Sequence, residues 1–153
     1  MAKMYPNYFA HDISDGEKDV FRRFAQDQVY TKDWIVLHSF NISRHIKHNH
    51  NGEADFVILI PNKGVLILEV KAHGEVMYNQ KTGWCLGKGE KKDTRNPIEQ
   101  AKNNMFSIKK SYIDQYDKNI LIDWAVVFTH VDSIRRQFRG GGGVLPISCH
   151  FHL

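Results

Sequence analysis

Three ionisable side chains stand inside the most apolar stretches of the chain. Asp55 opens the run Ala54-Asp55-Phe56-Val57-Ile58-Leu59-Ile60, and Glu69 and Lys71 close Val65-Leu66-Ile67-Leu68-Glu69-Val70-Lys71. Burying an ionised carboxylate is costly unless it is paired or binds a metal. Side chains two apart on a strand share a face, so Glu69 and Lys71 point the same way. If Gly64 fills the left-handed position of a three-residue turn, Pro61 lies opposite Val65 and Asp55 opposite Lys71, on the face of Glu69. An odd register would send Asp55 to the other side. Two converging carboxylates make a hard oxygen site suited to Mg²⁺ or Mn²⁺. A lysine beside them can orient or deprotonate a water and offset charge on a phosphate, which is the equipment of metal-assisted phosphodiester hydrolysis. The competing reading is a buried structural ion pair between Lys71 and one of the acids.

The elements that must position these residues are legible on either side. Ser14-Asp15-Gly16-Glu17 has the form of a capping box, and Val20, Phe21, Phe24 and Ala25 continue it as the apolar stripe of a helix. Trp34-Ile35-Val36-Leu37 predicts a strand, and the polar, histidine-rich segment from Asn41 to Gly52 a loop. The two apolar runs flank Pro61-Asn62-Lys63-Gly64 and predict a central hairpin covered by helices. Glu75 to Leu86 predicts a smaller, wetter hairpin around Lys81-Thr82-Gly83, and Gly87 to Arg95 a charged loop. A second long helix opens at Asn96, a good N-cap, with Pro97 at N1 and Glu99 at N3. Its apolar seam is Ile98, Ala101, Met105, Ile108 and Tyr112, and its end is expected between Asp114 and Asp117. Ile120 to Thr129 predicts a further strand. The sum is a mixed α/β layer, with helices on a sheet of at least four strands.

Composition narrows the function classes. The chain has 153 residues, 42% hydrophobic and 25% charged, the proportions of one soluble globular domain. No stretch has the ~18 consecutive apolar residues of a membrane span, and the N-terminus lacks the apolar core of a signal peptide, so an intracellular, cytoplasmic protein without a membrane partner is expected. Two cysteines, Cys85 and Cys149, build neither a disulfide framework nor a four-ligand zinc site. The net charge of +4 suits a polyanion. From Gln80 to Lys118 nine Lys/Arg stand against five Asp/Glu, and Arg44 to His50 forms a second basic cluster. Gly140 to Gly143 predicts a flexible linker. The expected division is a domain over residues 1–135 and a Gly-rich linker with a short tail over 136–153, where the chain is a fragment or leads into another domain.

Gly52-Glu53-Ala54-Asp55-Phe56-Val57, then Leu68-Glu69-Val70-Lys71, then Asn96-Pro97-Ile98-Glu99-Gln100-Ala101-Lys102 together resemble the nuclease-related domain (NERD) family, a branch of the PD-(D/E)xK nuclease-like superfamily. The resemblance runs from about Asp15 to about Thr129. Glu-x-Lys alone is a weak signal; the ordered set at these intervals is fairly specific. Ala54 stands where the motif's proline would be, a departure the superfamily tolerates. The resemblance implies a restriction-endonuclease-like core in the order αβββαβ. It implies Asp55 and Glu69 as metal ligands, helped by the backbone carbonyl of Val70, with Lys71 as the catalytic lysine. Glu17 matches the acidic position on the first helix that completes the site, and Gln100 the glutamine that contacts the site or the nucleic-acid backbone.

Each of these residues also has a plainer explanation. Glu17 is accounted for by its capping box, and Gln100 and Lys102 by a solvated helix face. Glu53 is an outer neighbour of Asp55, and His73 can line the cleft or be a satisfied polar side chain. His45, His48 and His50 belong to an exposed loop that can meet DNA, while Trp84 and Cys85 are expected to pack in the small hairpin. The leading expectation is a Mg²⁺-dependent (or Mn²⁺-dependent) nuclease that cleaves DNA with metal-activated water, RNA standing as the alternative substrate. The rival is a nucleic-acid-binding or regulatory module that keeps the fold but cleaves poorly. A degenerate site of that kind should have lost Glu69 or Lys71.

Overall fold

The structure, a computed structural model, describes residues 1–9, 12–42 and 52–131, and the backbone of 134–137. Its elements are β1 (Lys3–Tyr5), α1 (Asp15–Gln26), β2 (Ile35–Ile42), β3 (Gly52–Ile60), β4 (Gly64–Lys71), β5 (Val76–Asn79), β6 (Gly83–Leu86), α2 (Pro97–Tyr116), β7 (Ile122–Phe128) and β8 (Ile134–Gln137). A five-stranded mixed sheet runs β1-β2-β3-β4-β7, with β1 parallel to β2 and β4 parallel to β7. Set apart from it, β6-β5-β8 form a small sheet. Leaving out β1 and the small sheet, the order is αβββαβ, a restriction-endonuclease-like α/β core.

Both helices start where local chemistry starts them. Glu17 N donates to Ser14 Oγ at 3.2 Å, and Ser14 N donates back to Glu17 Oε1 at 3.0 Å, so the capping box is complete. At α2 the Asn96 side chain accepts from Ile98 N at 3.0 Å and Glu99 N at 3.3 Å, with Pro97 in the first turn. The helix ends on Asp117 in the left-handed region. No helix among the described residues is long and apolar enough to cross a membrane.

The helices cover opposite faces of the sheet. Val20, Phe21 and Phe24 of α1 bury Val36, Phe56, Ile58, Leu68 and Val70. Met105 of α2 packs with Ile42, Ala54, Val57 and Ile67 on the other side. Coverage of both faces explains why β3 and β4 read as continuous apolar runs rather than alternating ones.

Two expectations require correction, and one strand goes unannounced. The β3–β4 register pairs Ile60 with Gly64 and Phe56 with Leu68, so paired numbers sum to 124 rather than 126. Lys63 N donates to Ile60 O at 3.1 Å, and Asn62, not Gly64, takes the left-handed turn position. Gly64 instead begins β4 at positive φ, where a Cβ would collide with the carbonyl oxygen of Leu121. Continued one rung past Phe56, this register sets Asp55 across from Glu69 and not Lys71. Second, β2 runs on to Ile42, beyond the apolar run that marks its start, because pairing with β3 carries its polar half. Finally, β1 is a strand that three residues of sequence do not announce; it exists through its pairing with β2.

The expected boundary after residue 135 falls inside β8. The glycine run, Cys149, His45, His48 and His50 lie outside the described residues.

Candidate active site at the open end of the central hairpin

Between β2 and β3 one rung breaks the alternation of both strands. His38 pairs with Phe56 and Phe40 with Ala54, and between them Ser39 takes φ 49° opposite Asp55. On β3, Phe56 packs towards α1 and Ala54 towards α2, two residues apart yet on opposite faces. A residue at such a kink need not stand on either face. The Asp55 carboxylate turns towards β4, where Val70 N donates to its Oδ2 at 2.7 Å. Asp55 therefore comes to Glu69 through a kink that aims it between strands, and simple parity does not describe its position.

A residue in an extended strand directs its N–H and C=O to the same side. Val70, whose N–H reaches Asp55, thus turns its carbonyl towards β3 as well. Glu69 and Lys71 remain on one face, as their spacing requires. Lys71 Nζ donates to Glu69 Oε1 at 2.8 Å, and both residues are buried. Asn104, two turns into α2, spans the gap between β3 and β4. Its Nδ2 donates to Glu53 O at 3.0 Å and lies 3.5 Å from Glu69 Oε2.

The electrostatics of Asp55 follow from this crowding. Burial pushes its carboxyl up to about 8, and the neighbouring Glu69 adds to the shift. The hydrogen bond from Val70 opposes it, and the charges of Glu17 and Lys71 act with opposite signs. Two acids thus share a covered site with one lysine; Lys71 pairs with Glu69, and Asp55 is the acid that keeps its proton.

Other expected site residues are placed as follows. Glu17 is close enough for its charge to act on Asp55, while its carboxylate also caps α1. Gly16 makes this approach possible: a Cβ there would collide with Thr129 Oγ1 and lie 2.7 Å from Ala72 Cβ, just past the end of β4. Gln100 precedes Asn104 by one helical turn, and its Oε1 is buried with no hydrogen-bond partner among the described residues. Nδ1 of His73 is buried in the same unsatisfied way. Lys102 is exposed, its Nζ 5.2 Å from the Trp124 ring centroid. Trp84 packs between Tyr78 and Phe128, and Cys85 lies half-buried beside it in the small sheet. Asn104 was not legible as a site residue, since a lone amide in a helix gives no signal of what faces it.

The groups able to hold a divalent cation are the Asp55 and Glu69 carboxylates and the Val70 carbonyl. Among the described residues no three His, Cys, Asp or Glu side chains are gathered as a ready metal cage. Two carboxylates with water completing the shell is nevertheless an ordinary donor set for Mg²⁺, which sheds its waters reluctantly. Asp55 Oδ1 accepts no hydrogen bond from the described residues, and a carboxyl that burial keeps protonated is one whose proton a cation can replace.

An αβββαβ core carrying two acids and a lysine at the open end of its central hairpin defines a nuclease-like α/β domain. The chain belongs to the nuclease-related domain family, whose model matches residues 14–129. No curated protein and no solved structure matches it.

Proposed function

We propose that the protein is a metal-dependent nuclease that hydrolyses phosphodiester bonds of DNA, using Mg²⁺ or Mn²⁺. The observation that carries this reading is the pair Asp55 and Glu69, two carboxyls converging at a covered site where one lysine can neutralise only one of them and Asp55 holds its proton until something replaces it. Asp55, Glu69 and the Val70 carbonyl would hold the ion, and Glu17 would reach it through water. A cation bound there makes hydroxide available near neutral pH and stabilises charge on the phosphate. Lys71, held by Glu69, orients the attacking water and faces the charge that builds on the phosphoryl oxygens. Gln100 supplies a carbonyl oxygen with no partner among the described residues, suited to accept from that water. The family membership supports a nuclease-related role and is silent on the metal.

The rival reading is a nucleic-acid-binding module of the same fold. What favours it is the Lys71–Glu69 contact itself, since a purely structural buried ion pair looks the same. Incubation of supercoiled, linear duplex and single-stranded DNA with Mg²⁺, Mn²⁺ or EDTA separates the two. Metal-dependent cleavage abolished by EDTA is the expected result, and binding without cleavage in either metal supports the rival.

A further inference from the structure

A second charged pair stands beside the carboxylates, and the proposed chemistry leaves it unused. Asp93 is fixed by its backbone: Leu86 N donates to Asp93 O at 2.7 Å, and Asp93 N donates to Leu86 O at 2.8 Å, tying the residue to the end of β6. Its carboxylate then takes Arg95 side-on. Arg95 Nε donates to Oδ1 at 3.0 Å and to Oδ2 at 3.1 Å, Nη2 donates to Oδ2 at 2.7 Å, and the Arg95 backbone N–H adds a bond to Oδ1 at 2.9 Å. The Asp93 side chain is 16% exposed and that of Arg95 70%.

A guanidinium offers five N–H donors in a rigid plane. Asp93 occupies the side-on fork, which leaves the end-on fork of Nη1 and Nη2 open to solvent. That fork matches two oxygens of a phosphate. The pair also borders the site: the charges of Glu69 and Asp55 reach Arg95, and that of Lys71 reaches Asp93. An exposed pair contributes little to stability, so a guanidinium fixed this well is free to serve a ligand.

We infer that Arg95 is an anchor for the phosphodiester backbone, gripping a non-reacting phosphate beside the Asp55–Glu69 site with its end-on fork, while Asp93 acts as the positioning residue that fixes the guanidinium plane. This rests on the nuclease reading and adds to it the residue that sets the strand in register.

The test is binding of a short fluorescein-labelled DNA duplex to the full chain in EDTA, by anisotropy, at salt from ~50 to ~200 mM, with cleavage of the same duplex in Mg²⁺. Arg95→Ala should weaken binding about tenfold, as loss of a charge-assisted hydrogen bond does, and reduce the salt slope by about one. Arg95→Lys keeps the charge without the fork and should fall between. Lys63→Ala removes the same charge at the opposite end of the hairpin and should match the parent. Asp93→Ala removes a negative charge, so electrostatics alone would tighten binding, whereas loss of positioning weakens it. Weaker binding is expected, and tighter binding overturns the role of Asp93. If the parent binds and cleaves while Arg95→Ala equals Lys63→Ala in affinity and slope, the anchor is overturned and the nuclease reading stands. If the parent neither binds nor cleaves, both fall.

Discussion

At its turn end the β3–β4 hairpin pairs Ile58 with Leu66 and Ile60 with Gly64, in unbroken rungs with Ile58 and Ile67 fully covered by the two helices. At its open end the paired rungs stop at Phe56 and Leu68, Ser39 kinks the neighbouring strand, and the Asp55 carboxylate accepts from the backbone of Val70. One end is made of apolar atoms that gain by leaving water. The other buries an acid whose carboxyl is pushed up to about 8. The contrast teaches that the site is a local sacrifice of sheet regularity, held in place by the well-packed half of the same two strands.

The largest effect is expected at Lys71. Lys71→Ala should lower any cleavage rate by on the order of a hundredfold or more and, by stranding Glu69, cost ~3–5 kcal/mol of stability. Replacing both partners with apolar residues, Glu69→Leu with Lys71→Met, should return most of the stability because paired burial is then no longer needed. Cleavage should stay lost. Denaturant melts beside a nuclease assay check this, and a double variant that still cleaves would erase the difference between the two ends.

Ile67→Ala should act on the other end alone. It should cost ~2–5 kcal/mol through the cavity it leaves, while the cleavage rate per folded molecule stays near the parent's. A rate loss beyond the unfolded fraction would mean that the two ends are not separable.

A smaller, signed effect concerns pH. Asp55 binds its proton more tightly folded, at about 8, than at its ordinary value of 3.8. Without metal, the folded state therefore binds more protons between those values, and stability falls as pH rises through that window. Asp55→Asn should flatten this dependence and stabilise the protein near pH 8. Chemical denaturation across the window, with and without Asp55→Asn, measures it; coincident curves would contradict the burial of the charge.

How much of this was legible in sequence differs between the two ends as well. Both helix starts were, because capping is a matter of side chains within three residues of one another. The hairpin and its three ionisable residues were, because charge inside an apolar run is itself an anomaly. The register was not, because Asn62 takes the left-handed position while Gly64 lies against the carbonyl of Leu121, a contact between segments far apart in the chain. The kink at Ser39 was illegible for the same reason, since nothing in His38-Ser39-Phe40 marks a positive φ. Asn104 meets Glu53 and Glu69 across 51 and 35 residues of chain, and no local pattern spans such a separation.

The central claim, that the open end is a divalent-cation site, is tested most directly by calorimetric titration with Mn²⁺. The parent protein should bind one or two ions, releasing a proton near pH 7 as Asp55 gives its own up, and Asp55→Ala should bind sharply less. Equal binding by the two proteins would contradict the claim and move the metal away from this hairpin.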